Sequence, residues 1–144
     1  MRNNYQIING PNLNLLGKRE PEIYGKESFN SYFEKMLVDY PNQILHYYQT
    51  NHEGGIIDKL HDVGFRFQGI ILNAGAYTHY SYAIADAIKA ISAPVVEVHI
   101  SDIYAREDFR KISVTGDNCI KIISGQGLDG YRQALDFLLK FNAL

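Results

Sequence analysis

The sequence predicts an α/β fold in which helices cover both faces of a five-stranded parallel sheet. Short apolar segments alternate with segments of helical periodicity along the 144 residues, and this alternation is typical of parallel strands joined by right-handed helical crossovers. One of the apolar segments, GIILN, is apolar on both faces, as expected of a strand that is buried on both sides. The chain has no linker or repeat, so we expect a single domain over residues 1–144.

The predicted elements follow one another in a regular order. Runs rich in β-branched and aromatic residues predict strands at 5–8, 44–48, 69–72, 94–99 and 120–124. Apolar residues at helical spacing predict helices at 29–38, 56–63, 82–91 and 128–141. Ligands of such sheets bind beyond the carboxyl ends of the strands, so we expect the functional residues at that edge.

The segment 9–25, NGPNLNLLGKREPEIYG, leaves the first predicted strand. It is too rich in Gly, Pro and Asn for a helix or a strand, so we predict a long loop. A loop of this length without secondary structure of its own is usually a lid or a binding loop. Arg19, Glu20 and Tyr24 place a cation, a carboxylate and a phenol close together on this loop, where they could close over a ligand.

Polar side chains follow three of the predicted strands. Asn12 comes after the first strand, and Asn73 and His79 come after the third. Side chains alternate along a strand, so Glu97 and His99 share one face of the fourth strand, where the carboxylate can orient or charge the imidazole ring. His79 also precedes a predicted helix, which leaves a capping role open for it.

The remaining histidines and the single cysteine carry weaker signals. His46, His52 and His61 lie in strand or helix patterns without polar neighbours, and we interpret them as packing or surface residues. No pair of histidines has ligand spacing with a carboxylate and an open position, so we expect no metal. Cys119 has no partner for an internal disulfide, and we interpret it as a small buried hydrophobe.

Composition excludes several classes of function. The formal net charge of -2 gives no basic excess, so no nucleic-acid surface is indicated. No apolar run approaches membrane-spanning length and the amino terminus has no apolar signal region, so we expect no membrane association and a cytoplasmic location.

The motif GQGLDG at 125–130 matches G-x-G-x-x-G, the fingerprint of dinucleotide-binding folds. That fingerprint needs a further strand with an acidic residue about 20 positions on, and the sequence ends at Leu144, so we interpret the glycines as a tight turn into the last helix. The first loop lacks a hydroxyl-rich phosphate cradle, which argues against flavin binding. Asn9 ends the first strand without an acidic cluster, which argues against a phosphoryl-accepting response regulator.

Five ordered motifs together resemble one family. They are NGPNLN at 9–14, R-E-P-x-x-Y-G at 19–25, N-x-G-A-Y-T-H at 73–79, E-V-H-I-S at 97–101 and R-x-x-F-R at 106–110. This set is similar to that of the type II 3-dehydroquinate dehydratases over essentially the whole chain. The resemblance implies a flavodoxin-like three-layer sandwich with strand order 2-1-3-4-5.

The resemblance also implies a reaction and the residues that perform it. Water would be removed from 3-dehydroquinate through an enolate to give 3-dehydroshikimate, in the shikimate pathway of aromatic amino-acid biosynthesis or in quinate breakdown. Tyr24 would be the base, Arg19 would favour its phenolate, and His99 would be the acid. Asn12 would hold a water near the enolate oxygen, and Glu97 joins this group through its alignment with His99. The implied substrate contacts are Asn73, His79, Asp86, Ile100, Ser101 and Arg110.

The family implies no cofactor, and it implies a homo-oligomer built from trimers into a dodecamer, in which Asp86 reaches a neighbouring subunit's site. Arg110 is a second candidate cation for the Tyr24 phenol, whose ordinary pKa of about 10 makes it a poor base near neutrality. The sequence departs from the family pattern at Ala85, Asp102 and Lys111, where Arg, Asn and His are usual. A non-catalytic flavodoxin-like module that binds a small anion at the same edge is the alternative from another class.

Overall fold

The computed structural model describes residues 2–18 and 20–144, and the side chains of these residues except Ile23 and Tyr24. The described residues form a five-stranded parallel sheet in the order β2-β1-β3-β4-β5. The strands are β1 (Asn4–Asn9), β2 (Ile44–Gln49), β3 (Gly69–Asn73), β4 (Val95–His99) and β5 (Lys121–Ser124). The strand order confirms the prediction, and it places the reversal in strand order at β1, between β2 and β3.

The described residues form five α-helices, and all but the first agree with the predicted positions to within a few residues. They are α1 (Pro21–Tyr24), α2 (Phe29–Asp39), α3 (Glu53–Val63), α4 (Tyr82–Ala90) and α5 (Asp129–Ala143). The first residue before α4 is Ser81, whose Oγ accepts a hydrogen bond from the Ile84 N–H at 3.0 Å. Ser81 therefore caps α4, and His79 does not.

Two apolar clusters lie on the two faces of the sheet. On one face α2 and α5 cover the sheet through Phe29, Met36, Tyr131, Leu135 and Leu138. On the other face α3 and α4 cover it through Ile56, Leu60, Ile84, Ala87 and Ile88. All five residues of β3 are buried, as predicted for a central strand with helices on both sides. Burial of each large aliphatic side chain contributes about 1.5–3 kcal/mol, so these clusters stabilise the three layers.

The segment 9–25 differs from its prediction as a loop without helices. A 3₁₀ helix spans Leu13–Leu15, and α1 forms a single turn closed by the Gly25 N–H bond to the Pro21 carbonyl at 2.8 Å. Proline is favoured in the first turn of a helix because its missing N–H is not needed there. Leu13 and Leu16 are buried in the core, and this packing anchors the first turn against the sheet.

Two of the weaker interpretations are also wrong in detail. His46 has a polar partner, because its Nε2 lies 2.9 Å from Asn4 Oδ1 on the neighbouring strand. Cys119 is half-buried rather than buried, and its Sγ lies 3.5 Å from the Thr115 carbonyl oxygen. His52 and His61 are exposed, as predicted.

The glycine segment at 125–130 forms the predicted turn into α5. Gly125 and Gly127 have φ angles of 79° and 60°, which glycine adopts without strain. The Gly125 N–H donates to the His99 carbonyl at 3.2 Å, and the Gly127 N–H donates to the Ile100 carbonyl at 3.0 Å. The start of α5 is therefore attached to the carboxyl end of β4. Among the described residues, no helix is both long and apolar enough to cross a membrane.

Candidate active site

A pocket lies beyond the carboxyl ends of β1, β3 and β4, at the edge predicted for ligands. Its lining includes side chains from the loop after each of these strands, together with Arg106. The predicted site residues that line it are Asn12, Asn73, His79, His99, Ile100, Ser101 and Arg110. These residues come from separate segments of the sequence and meet around one pocket, at the edge of the sheet where they were expected.

The floor of the pocket is formed where β1 and β3 end side by side. Asn9 pairs with Asn73 in the parallel register, and the Gly10 N–H donates to the Asn73 carbonyl at 2.7 Å. A Cβ atom on Gly10 would lie 2.7 Å from the Ala74 carbonyl oxygen, closer than such atoms pack. Only glycine therefore allows the two strand ends to approach this closely.

His99 and Glu97 form a buried pair at the end of β4. His99 Nε2 lies 2.8 Å from Glu97 Oε2, and the side chains share one face of the strand as predicted. Glu97 is 0% exposed and His99 is 5% exposed. Because Nε2 is bonded to the carboxylate, Nδ1 is the ring nitrogen left for chemistry in the pocket.

The Glu97 carboxylate is held by residues that follow β4 in the chain. The Ser113 hydroxyl donates to Oε2 at 2.6 Å, and the Thr115 hydroxyl donates to Oε1. Burial raises the pKa of Glu97. The hydrogen bond and charge of His99 and the two hydroxyl donors together lower the pKa by more than burial raises it, so the pKa lies below its ordinary value. Glu97 is therefore an ionised carboxylate inside the fold.

His79 faces His99 across the pocket, with 6.5 Å between ring centroids. Its Nδ1 lies 2.7 Å from the Ile112 carbonyl oxygen. A carbonyl oxygen only accepts, so Nδ1 carries the proton, and Nε2 of the neutral ring is an acceptor. Burial lowers the pKa of His79, and the nearby charges of His99 and Arg110 lower it further, so the neutral ring is favoured.

Two arginines reach the pocket from the segment after β4. Arg110 Nε donates to Glu107 Oε2 at 2.6 Å, and its guanidinium lies 4.8 Å from the centre of the Phe109 ring. Arg106 Nη1 donates to Ser101 Oγ at 3.3 Å. Arg106 was not among the predicted site residues, although it is the first arginine of the R-x-x-F-R motif.

Asn12 is held in the left-handed region of the backbone, with φ at 70°. Its N–H donates to Asn51 Oδ1 at 3.1 Å, and Gln49 Nε2 donates to the same oxygen at 3.1 Å. Gln49 Nε2 also lies 3.1 Å from the Gly10 carbonyl oxygen, to which it donates. Residues at the end of β2 therefore hold Asn12 in a left-handed backbone conformation, which Asn tolerates better than most residues do. Neither Gln49 nor Asn51 was predicted, since they lie at and just beyond the end of a different strand.

Besides Glu97, which contacts His99 without lining the pocket, three predicted residues are not placed in the pocket. Arg19 lies outside the described residues, and so does the side chain of Tyr24, whose backbone ends α1. Asp86 is exposed on α4 and lines a separate surface depression with Ile112 and other residues. Within residues 2–18 and 20–144, no group of three or more His, Cys, Asp or Glu side chains could hold a metal ion.

Several known proteins are similar to this chain in sequence and in architecture. The family model described as dehydroquinase class II matches residues 3–139. A 3-dehydroquinate dehydratase of Clostridium botulinum (strain Okra / Type B1) is 49% identical over 139 residues, which is 95% of each chain. The crystal structure of a type II dehydroquinase from Butyrivibrio crossotus has a TM-score of 0.90 and 49% identity, and the match covers 96% of this chain and 98% of that one. A type II dehydroquinase from Propionibacterium acnes has a TM-score of 0.92 and 36% identity over 97% and 98% of the two chains.

These matches extend over nearly all of the chain, and the TM-scores of the two solved structures show that the fold is the same. The motifs at 9–14, 73–79, 97–101 and 106–110 supply most of the side chains that meet at the pocket beyond β1, β3 and β4. The chain therefore belongs to the class II dehydroquinase family.

Proposed function

We propose that this chain removes water from 3-dehydroquinate to give 3-dehydroshikimate, in aromatic amino-acid biosynthesis through the shikimate pathway or in quinate breakdown. The family, and the activity for which its relatives are named, support this reaction. The observation that carries the proposal is the buried pair of His99 and Glu97, which opens on a pocket lined by two arginines. An ionised carboxylate bonded to the imidazole ring fixes the ring and favours its protonated form, which suits a histidine that acts as a general acid.

The first step is removal of the C2 proton beside the ketone, which we assign to the phenolate of Tyr24. A phenol has an ordinary pKa of about 10, so a cation must stabilise the phenolate near neutral pH. Arg19 supplies that cation from the same segment. The electron pair left at C2 moves onto the ketone oxygen and forms an enolate. Asn12, on its fixed backbone, holds the water that donates to this oxygen.

The second step is loss of the C1 hydroxyl. The enolate re-forms the ketone, a double bond forms between C1 and C2, and the C1–O bond breaks. His99 gives its proton to the departing oxygen, which leaves as water. Since Glu97 holds Nε2, the proton comes from Nδ1, and the carboxylate balances the positive charge of the ring before the transfer.

The remaining pocket residues hold the substrate in place. The backbone N–H groups of Ile100 and Ser101 lie just beyond β4 and donate to the substrate carboxylate. His79 Nε2 accepts a hydrogen bond from a substrate hydroxyl, consistent with the proton on Nδ1. Asn73 and Arg110 donate to the substrate's oxygen atoms. These roles require no cofactor.

We also propose a cytoplasmic dodecamer built from trimers, in which Asp86 completes the site of a neighbouring subunit. The exposed position of Asp86 on α4, outside its own chain's pocket, supports this arrangement. Tyr82 and Ile112 beside it are 71% and 60% exposed, and exposed apolar side chains around a carboxylate suit a subunit interface.

The test is turnover of 3-dehydroquinate by the purified protein, followed through the ultraviolet absorbance of the conjugated enone. We expect absorbance to appear with the wild-type protein and to be lost in His99→Ala. His61→Ala, which changes an exposed histidine on α3, is the matched control and should keep wild-type turnover. Binding of 3-dehydroquinate without any turnover would contradict the proposal and favour the anion-binding module.

A further inference from the structure

A series of hydrogen bonds runs from the pocket floor into the first turn of α5, and the two that involve Tyr131 are buried. The Gly75 N–H donates to Asn73 Oδ1 at 3.2 Å, and Asn73 Nδ2 donates to the Tyr131 hydroxyl at 3.1 Å. The Tyr131 hydroxyl donates to Asn9 Oδ1 at 2.7 Å. Asn9, Asn73 and Tyr131 are all buried, and of these three Asn73 lines the pocket.

The direction of each hydrogen bond in this series is fixed by the two groups that form it. The Gly75 N–H can only donate, so it turns Asn73 Oδ1 toward itself and leaves Nδ2 facing Tyr131. Nδ2 can also only donate, so the hydroxyl oxygen of Tyr131 accepts from it. The hydroxyl proton then points to Asn9 Oδ1, which only accepts. Burial raises the pKa of the Tyr131 phenol above its ordinary value, so the hydroxyl keeps this proton.

We propose that Tyr131 is a positioning residue that turns the Asn73 amide so that its second N–H faces the substrate. An amide nitrogen carries two hydrogens, and the bond to Tyr131 uses one of them. Without the hydroxyl, the Nδ2 side of the amide loses its anchor, and the amide can present its oxygen to an anionic substrate instead. This inference rests on the proposed function, in which Asn73 contacts the substrate.

The surroundings of Tyr131 suit a fixed support. Its ring is fully buried and packs edge-on against Phe29, with 4.8 Å between ring centroids. The glycine turn before α5 is bonded to the carbonyl groups of His99 and Ile100, so the helix start keeps its distance from the pocket. The hydroxyl therefore has little freedom to follow a displaced amide.

The test compares KM and kcat in variants that remove one group each. Tyr131→Phe should raise KM roughly tenfold, the effect of losing one neutral hydrogen bond to the substrate, and leave kcat within about twofold. Asn73→Ala should raise KM as well, and the double variant should be no worse than Asn73→Ala alone, because both changes remove the same contact.

Tyr5→Phe is the matched control. Tyr5 is also fully buried, and its hydroxyl accepts a hydrogen bond from Asn142 Nδ2 at 3.0 Å. It lies at the start of β1, at the opposite edge of the sheet from the pocket. Its loss should lower stability as Tyr131→Phe does, without any change in KM. A similar rise of KM in both variants would show that the rise does not depend on the contact with Asn73 and would overturn the positioning role.

A second variant keeps the test decisive where Tyr131→Phe folds poorly. Asn9→Ala removes the acceptor that orients the hydroxyl proton of Tyr131. That proton can then turn toward Asn73 Nδ2 and displace its hydrogen bond, so KM should rise about severalfold. This change also deletes Asn9 Nδ2, a buried donor that has no partner among the described residues, which offsets part of its cost. An unfolded fraction lowers kcat but leaves KM unchanged.

The outcomes separate the two proposals. Absence of turnover in the wild-type protein would overturn the proposed function and this role with it. Turnover in the wild type, with KM unchanged in both Tyr131→Phe and Asn9→Ala, would overturn the positioning role and leave the proposed function standing. Additive effects of Tyr131→Phe and Asn73→Ala on KM would also overturn it, because independent contacts add.

Discussion

His99 Nε2 and Glu97 Oε2 lie 2.8 Å apart at the end of β4, and both side chains are buried. Glu97 therefore both fixes the position of the His99 ring and supplies the negative charge beside it. Ser113 and Thr115 hold the carboxylate from a segment that does not line the pocket. Changes at these positions test whether Glu97 supports the proton transfer or only the fold.

Glu97→Gln keeps the size of the side chain and removes its charge. Without the carboxylate, a positively charged His99 has no buried partner, so kcat should fall on the order of a hundredfold, with a smaller change in KM. Steady-state kinetics with 3-dehydroquinate measure both constants. Glu34→Gln, at an exposed position on α2, is the control for the loss of one carboxylate. A kcat within a factor of about two of wild type would exclude a role for the Glu97 charge in the proton transfer.

The lowered pKa of Glu97 also predicts how stability depends on pH. The folded pKa lies below the unfolded value of about 4.3, so the stabilisation is fully present above that pH and is lost as the pH falls through the folded pKa. Urea unfolding between neutral and acidic pH should show a shallower loss of free energy for Glu97→Gln than for wild type below that pH. Glu34→Gln should retain the wild-type slope. Parallel curves for all three proteins would mean that the Glu97 pKa is the same in the folded and unfolded states.

Removal of the hydroxyl donors to Glu97 should weaken the fold. Ser113→Ala and Thr115→Val each delete a hydrogen bond to a buried charge, and each should lower the free energy of unfolding by about 1.5–3 kcal/mol. Thr78→Val makes the same change at a buried threonine whose Oγ1 has no partner within the described residues, so it should cost no stability. Equal losses in Thr115→Val and Thr78→Val, measured by urea unfolding, would contradict this assignment.

Tyr24→Phe should abolish turnover and leave the fold and substrate binding largely intact, because it deletes one hydroxyl from the segment before α2. Circular dichroism and isothermal titration with 3-dehydroquinate check the fold and the binding, and the enone absorbance checks turnover. Tyr104→Phe, at an exposed tyrosine beyond β4, is a control for the loss of a phenol. Near-normal turnover in Tyr24→Phe would remove Tyr24 as the base.

Subunit mixing tests the proposed role of Asp86. Tyr24→Phe and Asp86→Ala should each be impaired alone if every site uses Tyr24 from one chain and Asp86 from the next. Refolded together in equal amounts, roughly one site in four should contain both intact residues for random mixing around a closed ring. Asp58→Ala, an exposed carboxylate on α3, should not be impaired. No recovery despite proven mixing of subunits would show that Asp86 does not serve a neighbour.

The sheet and much of the pocket could be predicted because both depend on local pattern and on strand direction. Buried parallel strands such as β3 are apolar throughout, and the carboxyl ends of β1, β3 and β4 share one edge. Asn73 and His99 therefore meet at the pocket although no short-range pattern joins them. The 3₁₀ turn at Leu13–Leu15 was missed because it depends on the burial of Leu13 and Leu16 rather than on propensity.

The supports of the site could not be predicted because they come from distant positions. Thr115 is 18 residues from Glu97, and Tyr131 is 58 residues from Asn73. A hydroxyl in a sequence gives no sign of the group that it will contact after folding. Arg106 is different, since it stands in the same R-x-x-F-R motif as Arg110 and could have been chosen by the same reasoning.

The hydrogen bond between Asn9 and Tyr131 joins residues 122 positions apart. Asn9 leaves the ribosome early in synthesis and Tyr131 much later. The side-chain amide of Asn9 can therefore accept the hydrogen bond from Tyr131 only after most of the chain has been translated. A nascent chain that ends after β4 already carries His99 and Glu97, but it lacks the helix that closes the base of the pocket. Recognition of the substrate should therefore begin only when α5 has left the exit tunnel and docked on the sheet.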